Sequence, residues 1–184
     1  MNSRIFIAVN QPKKLKKLIF EELSLMIPDE RMKKVEKENL HLSLKFLGCL
    51  DESFLEKVKE KLGKVKVEEK EFKASFGLVK DFKNKVLWLE VKSGATELKE
   101  LEKEINSALS LKQENFIPHL TLARNKNLTN LELKELEEKI NKKIKEIKLE
   151  EKEFVVKEFS LMESILKPSG PEYRKLNDYR ISTE

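Results

Sequence analysis

Two tetrads, His41-Leu42-Ser43-Leu44 and His119-Leu120-Thr121-Leu122, share one order of residue types: histidine, apolar, hydroxyl, apolar. The chain has two histidines, and each opens one tetrad. Alternation with a period of two predicts a β-strand, in which residues two positions apart share a face. Each tetrad is therefore predicted to bury its leucines and to present an imidazole and a hydroxyl together. The alternative, two half-buried histidines that only satisfy neighbouring hydroxyls, is weakened by the repetition.

A second repeat indicates that the chain arose by internal duplication. Residues 65–72 (VKVEEKEF) match residues 147–154 (IKLEEKEF), which lie 82 positions later (147 minus 65), and the histidines lie 78 positions apart (119 minus 41). In each half a histidine strand leads to a helical stripe and then to this stretch, an order that favours duplication over chance.

The duplication predicts two lobes related by a pseudo-twofold axis. The histidine strands are predicted to face each other across a central groove. We expect one bilobal domain over residues 1–184, with lobes at about 1–80 and 81–184 and terminal strands that can cross between them.

Local patterns predict the individual elements. Apolar runs and alternation indicate strands at 4–9, 40–47, 72–78, 86–91, 116–123 and 147–161, and a last short segment at 173–181. Apolar stripes at helical spacing indicate four helices, with helix caps expected at Asp51 or Ser53, at Thr96, and at Thr129 with Glu132 three residues later. Residues 29–38 are predicted to form an exposed connection, 80–85 a basic hairpin loop and 168–171 a turn.

Composition limits the class of protein and its surroundings. Among 184 residues, 39% are hydrophobic and 39% charged, so a globular fold with a heavily charged surface is expected. The single Cys49 cannot form an internal disulfide, and neither a signal peptide nor a membrane-length apolar run is evident. We expect a cytoplasmic monomer. A net charge of +5 is compatible with a polyanionic partner, but equally with a solvated Lys/Glu surface.

Two facing imidazoles suggest paired acid–base catalysis. Because an ordinary histidine pKa lies near 6.5, one ring can be neutral while the other is protonated. The hydroxyls of Ser43 and Thr121 suit the non-bridging oxygens of a phosphate. Strand parity places Lys45 on the same face, and Arg124 follows the second tetrad as a candidate bidentate phosphate ligand. Ordinary surface charge is the alternative for both cations.

Two rival chemistries have less support in the sequence. Neither tetrad contains a carboxylate, and two histidines without accompanying cysteines or acidic residues are too few to indicate a metal site. A serine nucleophile is weaker still, because Ser43 follows His41 by two residues on a strand and no nucleophile elbow is present. The sequence therefore predicts chemistry that needs neither a metal nor another cofactor.

At this point the residues resemble those of the two-histidine (2H) phosphoesterases, and within them the RNA 2′,3′-cyclic phosphodiesterases, also called 2′-5′ RNA ligases. The resemblance extends over nearly the whole chain, with Ser43 where threonine is more usual. The matching segments are Arg4–Val9, Glu38–Gly48, Val86–Trp88, Pro118–Arg124 and Gly170–Tyr173.

The resemblance implies a bilobal α+β fold, each lobe an antiparallel sheet with helices on its outer face, and metal-independent hydrolysis of RNA 2′,3′-cyclic phosphates to 2′-phosphates. We assign His41 as proton donor towards the 3′-oxygen and His119 as proton acceptor towards water, and the near symmetry of the two tetrads leaves the opposite assignment open. It also implies a reverse reaction that joins RNA ends through a 2′-5′ linkage without ATP. The expected partners are RNA with cyclic phosphate ends, such as tRNA fragments, or small cyclic nucleotides. Tyr173 is a candidate for stacking on a base, with simple packing as its alternative. A phosphoesterase for another small substrate and a non-catalytic RNA-binding module remain open.

Overall fold

The computed structural model describes residues 4–67, 71–168 and 170–181. Part of the first repeated stretch (68–70) and Ser169 of the predicted turn lie outside the described residues. The strands are β1 (Arg4–Val9), β2 (Met32–Lys34), β3 (Leu42–Gly48), β4 (Phe72–Phe82), β5 (Val86–Ser93), β6 (His119–Asn125), β7 (Glu153–Val156), β8 (Glu158–Lys167) and β9 (Gly170–Arg180). The α-helices are α1 (Lys13–Glu22), α2 (Glu52–Leu62), α3 (Ala95–Leu109) and α4 (Asn130–Glu146), and short 3-10 helices span Ser24–Met26, Lys37–Asn39 and Leu149–Glu151.

The strands form a sheet in the order β7-β4-β5-β6-β3-β1-β8-β9, with β2 also pairing with β6. Every described strand pair is antiparallel. The predicted α+β fold with antiparallel sheets is confirmed. Helix α3 contacts β3 and β5, and α4 contacts β4, so the helices cover the face of the sheet that carries the main core. The opposite face, which we call the groove face, carries the histidines.

Two strand pairings show the internal symmetry directly. Strand β3 pairs with β6 at Leu42 and Leu120, and adding the histidine spacing of 78 to 42 gives 120. Strand β4 pairs with β7 through Phe72–Val156 and Ala74–Phe154. Adding 82 to 72 and 74 gives 154 and 156, so exchanging the two halves of the chain maps these pairs onto each other.

The connections carry strands from one half of the chain to the other half of the sheet. Strand β4 runs across residue 80 and pairs with β5, whereas β8 and β9 from the C-terminal half lie beside β1. The division of the chain into lobes near residue 80 stays a prediction. No helix in the described ranges is long and apolar enough to cross a membrane.

Several predicted element boundaries were wrong. Residues 29–38 are not simply an exposed connection, because β2 pairs with β6 and buries Met32 to 1% exposure. The loop predicted at 80–85 shrinks to a tight turn, in which Lys83 and Asn84 both have positive φ, because β4 continues to Phe82. Helix α3 begins after Gly94 instead of being capped by Thr96.

Two predicted helix starts are confirmed. The Asp51 side chain accepts a hydrogen bond from the backbone N–H of Phe54. Thr129 and Glu132 form the predicted reciprocal capping box at the start of α4. Both caps satisfy backbone donors that the first turn of a helix leaves without partners.

Candidate active site

Both imidazole rings are held in the same way. The Nδ1 atom of His41 lies 2.7 Å from the carbonyl oxygen of Asn39, and that of His119 lies 2.8 Å from the carbonyl oxygen of Ile117. A carbonyl can only accept, so Nδ1 carries the hydrogen in both rings. In the neutral form of each ring, Nε2 therefore carries a lone pair and can accept a proton. Once protonated, the same Nε2 atom can deliver that proton.

The two Nε2 atoms have different immediate neighbours. His41 Nε2 lies 2.8 Å from the hydroxyl of Ser43, as the tetrad predicts for residues two positions apart on a strand. His119 Nε2 makes no hydrogen bond within the described ranges, although Thr121 occupies the matching position. The two histidines lie close together, because the residues that follow them, Leu42 and Leu120, pair directly across β3 and β6.

The His41 ring lies in an apolar and aromatic setting. The ring centroid of Phe6 is 5.0 Å away, and Tyr173 meets the imidazole edge-on at 5.2 Å. Burial lowers the pKa of His41 to about 4, the hydrogen bond to Asn39 opposes this, and the charges of Lys16 and His119 lower it further. His41 is therefore neutral at pH 7 in the free protein.

The surroundings of His119 differ from those of His41. Trp88 of β5 meets the His119 ring edge-on, with centroids 5.3 Å apart. The residue that pairs with His119 across β5 and β6 is Glu90. Glu90 forms an ion pair with Lys80 and accepts a hydrogen bond from the backbone N–H of Leu78. Each histidine is thus held by the same kind of backbone hydrogen bond, but the side chains around the two rings differ.

A bulge in β3 moves Lys45 off the groove face, so its placement by strand parity was wrong. Ala8 pairs with Ser43 and Ile7 pairs with Lys45, which leaves Leu44 as an extra residue between them. Because its partner Ile7 belongs to the main core, Lys45 leaves its strand on the face of the sheet that carries the core. Its ammonium lies 2.8 Å from a carboxylate oxygen of Glu114, in the loop before β6.

A matching bulge in β6 has the opposite consequence for Arg124. Trp88 pairs with Thr121 and Leu87 with Ala123, so Leu122 is the extra residue. Arg124 thereby returns to the face that carries Thr121 and Trp88. Its side chain is exposed. Burial raises the pKa of the Tyr173 hydroxyl, and the charge of Arg124 opposes this effect.

The tip of the β8–β9 hairpin is hydrogen-bonded to Asn39, the residue whose carbonyl oxygen accepts from His41. The side-chain amide of Asn39 donates a hydrogen bond to the carbonyl oxygen of Pro171, 2.9 Å away. Tyr173 lies two residues further along and contacts both Phe6 and His41 edge-on. Tyr173 thus packs against the catalytic candidate, and a role in stacking on a base stays a prediction.

Sequence reasoning missed the second layer of the site. Phe6 and Trp88 were assigned to strands without a functional role, and neither Asn39 nor Lys16 was singled out. Lys16 donates to the carbonyl oxygen of Glu38 at 2.9 Å, next to the Asn39 anchor. The alternation around Phe6 and Trp88 could have indicated their faces, but the contacts of Asn39 and Lys16 join distant segments and carry no local signal.

The part of the chain that the structure describes contains no group of three or more His, Cys, Asp or Glu side chains that could hold a metal ion. The nearest anionic group in register with a histidine, Glu90, is paired with Lys80. The hydrogen-bond donors on this face are instead the hydroxyls of Ser43 and Thr121 and the Arg124 guanidinium. Such donors can bind and orient an anion, and the two Nε2 atoms can exchange protons with it.

Comparisons with known proteins point to one family. The pattern of the 2′-5′ RNA ligase superfamily matches residues 12–166. A protein of Methanocaldococcus jannaschii named RNA 2′,3′-cyclic phosphodiesterase is 34% identical over 186 residues, covering 96% of this chain and 99% of the relative. A protein of Archaeoglobus fulgidus with the same name is 32% identical, with 94% and 97% covered.

Solved structures show the same fold. The crystal structure of E. coli LigT in its apo form is similar with a TM-score of 0.79 and 21% identity, covering 99% of each chain. The complex of E. coli LigT with phosphate gives a TM-score of 0.76 over the same share of both chains.

The depressed pKa of His41 predicts a pH dependence of stability. In the unfolded chain His41 takes up a proton as the pH falls below about 6.5, whereas the folded protein resists protonation until about pH 4. The free energy of unfolding should therefore fall across that window by up to about 3 kcal/mol from this group. Urea unfolding of wild type and His41→Asn at matched pH isolates the effect. Parallel pH dependences for the two proteins would contradict it.

Proposed function

Because the chain belongs to the 2′-5′ RNA ligase superfamily, the two-histidine phosphoesterases, we propose that it hydrolyses RNA 2′,3′-cyclic phosphate ends to 2′-phosphates. The observation that carries the proposal is the matched pair of anchored rings. Each Nδ1 is bonded to a carbonyl two residues upstream, and each ring has a hydroxyl residue two positions downstream. The paired arrangement suits a reaction that removes one proton and supplies another.

The reaction balances with the two histidines as the proton carriers. Nε2 of His119 takes a proton from water while the water oxygen attacks phosphorus. The bond from phosphorus to the 3′-oxygen breaks, and Nε2 of His41 gives that oxygen a proton, which leaves a 2′-phosphate and a 3′-hydroxyl. The hydroxyls of Ser43 and Thr121 and the guanidinium of Arg124 bind the non-bridging oxygens.

His41 must gain its proton when the substrate binds. The ring is neutral at pH 7 in the free protein because burial lowers its pKa to about 4. A phosphate anion close to Nε2 favours the charged imidazolium and opposes the effect of burial. Proton loading would thus be coupled to occupancy of the site. Lys45 is left out of the proposed phosphate site, because its ammonium is paired with Glu114.

The same two histidines could also serve a ligation reaction. A 5′-hydroxyl in place of water would attack the same phosphorus, with the bond from phosphorus to the 3′-oxygen breaking as in hydrolysis. This step would join RNA ends through a 2′-5′ linkage without ATP, since the strained cyclic phosphate supplies the free energy. Catalysis would use no metal ion.

We propose that the substrate is RNA, including tRNA fragments with cyclic ends. We also propose that the protein works as a monomer in the cytoplasm, where its exposed Cys49 would stay reduced.

Removal of either ring tests the two-histidine mechanism. His41→Ala and His119→Ala should each lower hydrolysis of 2′,3′-cyclic phosphates at least about a hundredfold, the range expected for a positioned acid or base. Ser43→Ala and Thr121→Ala should cost less, because a neutral hydrogen bond contributes less. Turnover is measured with cyclic-ended oligoribonucleotides, and phosphorus NMR identifies the product.

A folded histidine variant with near wild-type turnover would contradict the mechanism. A product with its phosphate on the 3′-oxygen would contradict the proposed bond cleavage. Hydrolysis of small phosphodiesters without any hydrolysis of RNA ends would favour the alternative of a small-molecule phosphoesterase.

Prolonged chelation tests the absence of a metal step. Wild-type turnover should survive dialysis against EDTA, because the proposed steps use only imidazoles, hydroxyls and a guanidinium. Circular dichroism of the dialysed protein controls for loss of fold. Activity that disappears with EDTA and returns with zinc or manganese would overturn the metal-free mechanism.

A further inference from the structure

A row of four side chains crosses the groove face beyond the reacting phosphate. Lys33 of β2 pairs with Arg124 of β6, Arg124 with Val86 of β5, and Val86 with Phe82 of β4. Residues that pair directly across antiparallel strands project from the same face. We call this set of four residues the Arg124 row.

The two cations of the Arg124 row are available to a ligand. Within residues 4–67, 71–168 and 170–181, neither Lys33 nor Arg124 forms an ion pair with a carboxylate, and both side chains are exposed. The cations beside Lys33 in the sequence are engaged, since Lys34 pairs with Asp29 and Arg31 with Glu132. Two adjacent unpaired cations on one face favour an anion with more than one charged group.

The far end of the row is aromatic. Phe82 is the last residue of β4 and is 53% exposed, and Lys83 places its ammonium 5.4 Å from the centroid of the Phe82 ring. Cations on the same surface as an exposed aromatic ring are typical of sites that bind single-stranded nucleic acid, where the ring stacks on a base and the cations contact the backbone.

The position of the row sets which part of a substrate it can reach. Arg124 lies three residues beyond Thr121 on β6, a distance of at most about 10 Å along a strand. The four strands of the row extend about 14 Å across the sheet, at about 4.8 Å between neighbours. Arg124 can therefore touch the reacting phosphate, whereas Lys33 and Phe82 lie where a neighbouring nucleotide would be.

We infer that the Arg124 row binds the RNA strand on the 5′ side of the terminal cyclic phosphate. Lys33 contacts the next backbone phosphate, and Phe82 stacks on a base of the same strand. The inference rests on the proposed function and narrows the proposed substrate of the protein to oligoribonucleotides. A cyclic mononucleotide would fill only the part of the site that holds the reacting phosphate.

The test compares two substrates with the same reacting group. One is cytidine 2′,3′-cyclic phosphate, and the other is a trinucleotide that ends in it. Lys33→Gln and Phe82→Ala should each lower kcat/KM for the trinucleotide about tenfold, the effect of losing one phosphate or stacking contact, and leave kcat/KM for the mononucleotide within about twofold of wild type.

Helix α2 provides matched control variants. Lys57 places its ammonium 5.5 Å from the ring centroid of Phe54, which is 56% exposed, so the same chemistry occurs away from the groove face. Lys57→Gln and Phe54→Ala should leave both substrates unaffected. Equal losses on both substrates in the Lys33 and Phe82 variants, or no loss on either, would overturn the inference.

A binding measurement separates this inference from the proposed function. If the wild type hydrolyses neither substrate, the proposed function fails, and the row is judged by fluorescence anisotropy of a labelled trinucleotide that ends in a plain hydroxyl. Lys33→Gln should then weaken binding and lower the slope of log affinity against log salt by about 0.7, the value for one phosphate on a single strand. Unchanged binding would overturn the inference.

Discussion

The site depends on a single cross-strand pair, Leu42 with Leu120, where β3 and β6 meet. Each of these leucines follows a histidine, is fully or almost fully buried, and holds its strand against the core. Because β3 and β6 are antiparallel and meet only near their first residues, they diverge from this pair in opposite directions. The pairing brings the two imidazoles together, and the divergence leaves room for β2 to pair with β6 beyond them.

A symmetric backbone holds a chemically asymmetric pair of rings. Both histidines use Nδ1 to bond a carbonyl two residues upstream, so the duplication preserved the anchor. The side chains around the anchors differ: Phe6 and Tyr173 enclose His41, whereas Trp88 flanks His119 and Glu90 is its partner in register. Acid–base catalysis needs two groups with different protonation states, and different surroundings on one repeated anchor are a direct way to obtain them.

The sequence predicted the features that depend on local pattern. The tetrads indicated the two histidine strands, and the repeated stretches indicated the duplication seen in the β3–β6 and β4–β7 pairs. Parity failed after Ser43, because a bulge at Leu44 adds a residue that no alternation reveals. Strict alternation from Thr121 would place Arg124 on the core face. The bulge at Leu122 shifts the alternation by one residue, so Arg124 lies on the groove face. Contacts that join distant segments, such as Asn39 with Pro171, leave no pattern in the sequence.

A change of leaving group distinguishes the proton transfers that the two histidines perform. A phosphodiester with a 4-nitrophenolate leaving group needs no proton donor, because that leaving group departs as a stable anion. With His41 as the acid, His41→Ala should recover most of its activity on this substrate, and His119→Ala should stay impaired on both this substrate and a cyclic phosphate. Equal impairment of the two variants on both substrates would contradict separate acid and base roles, and recovery by His119→Ala alone would reverse their assignment.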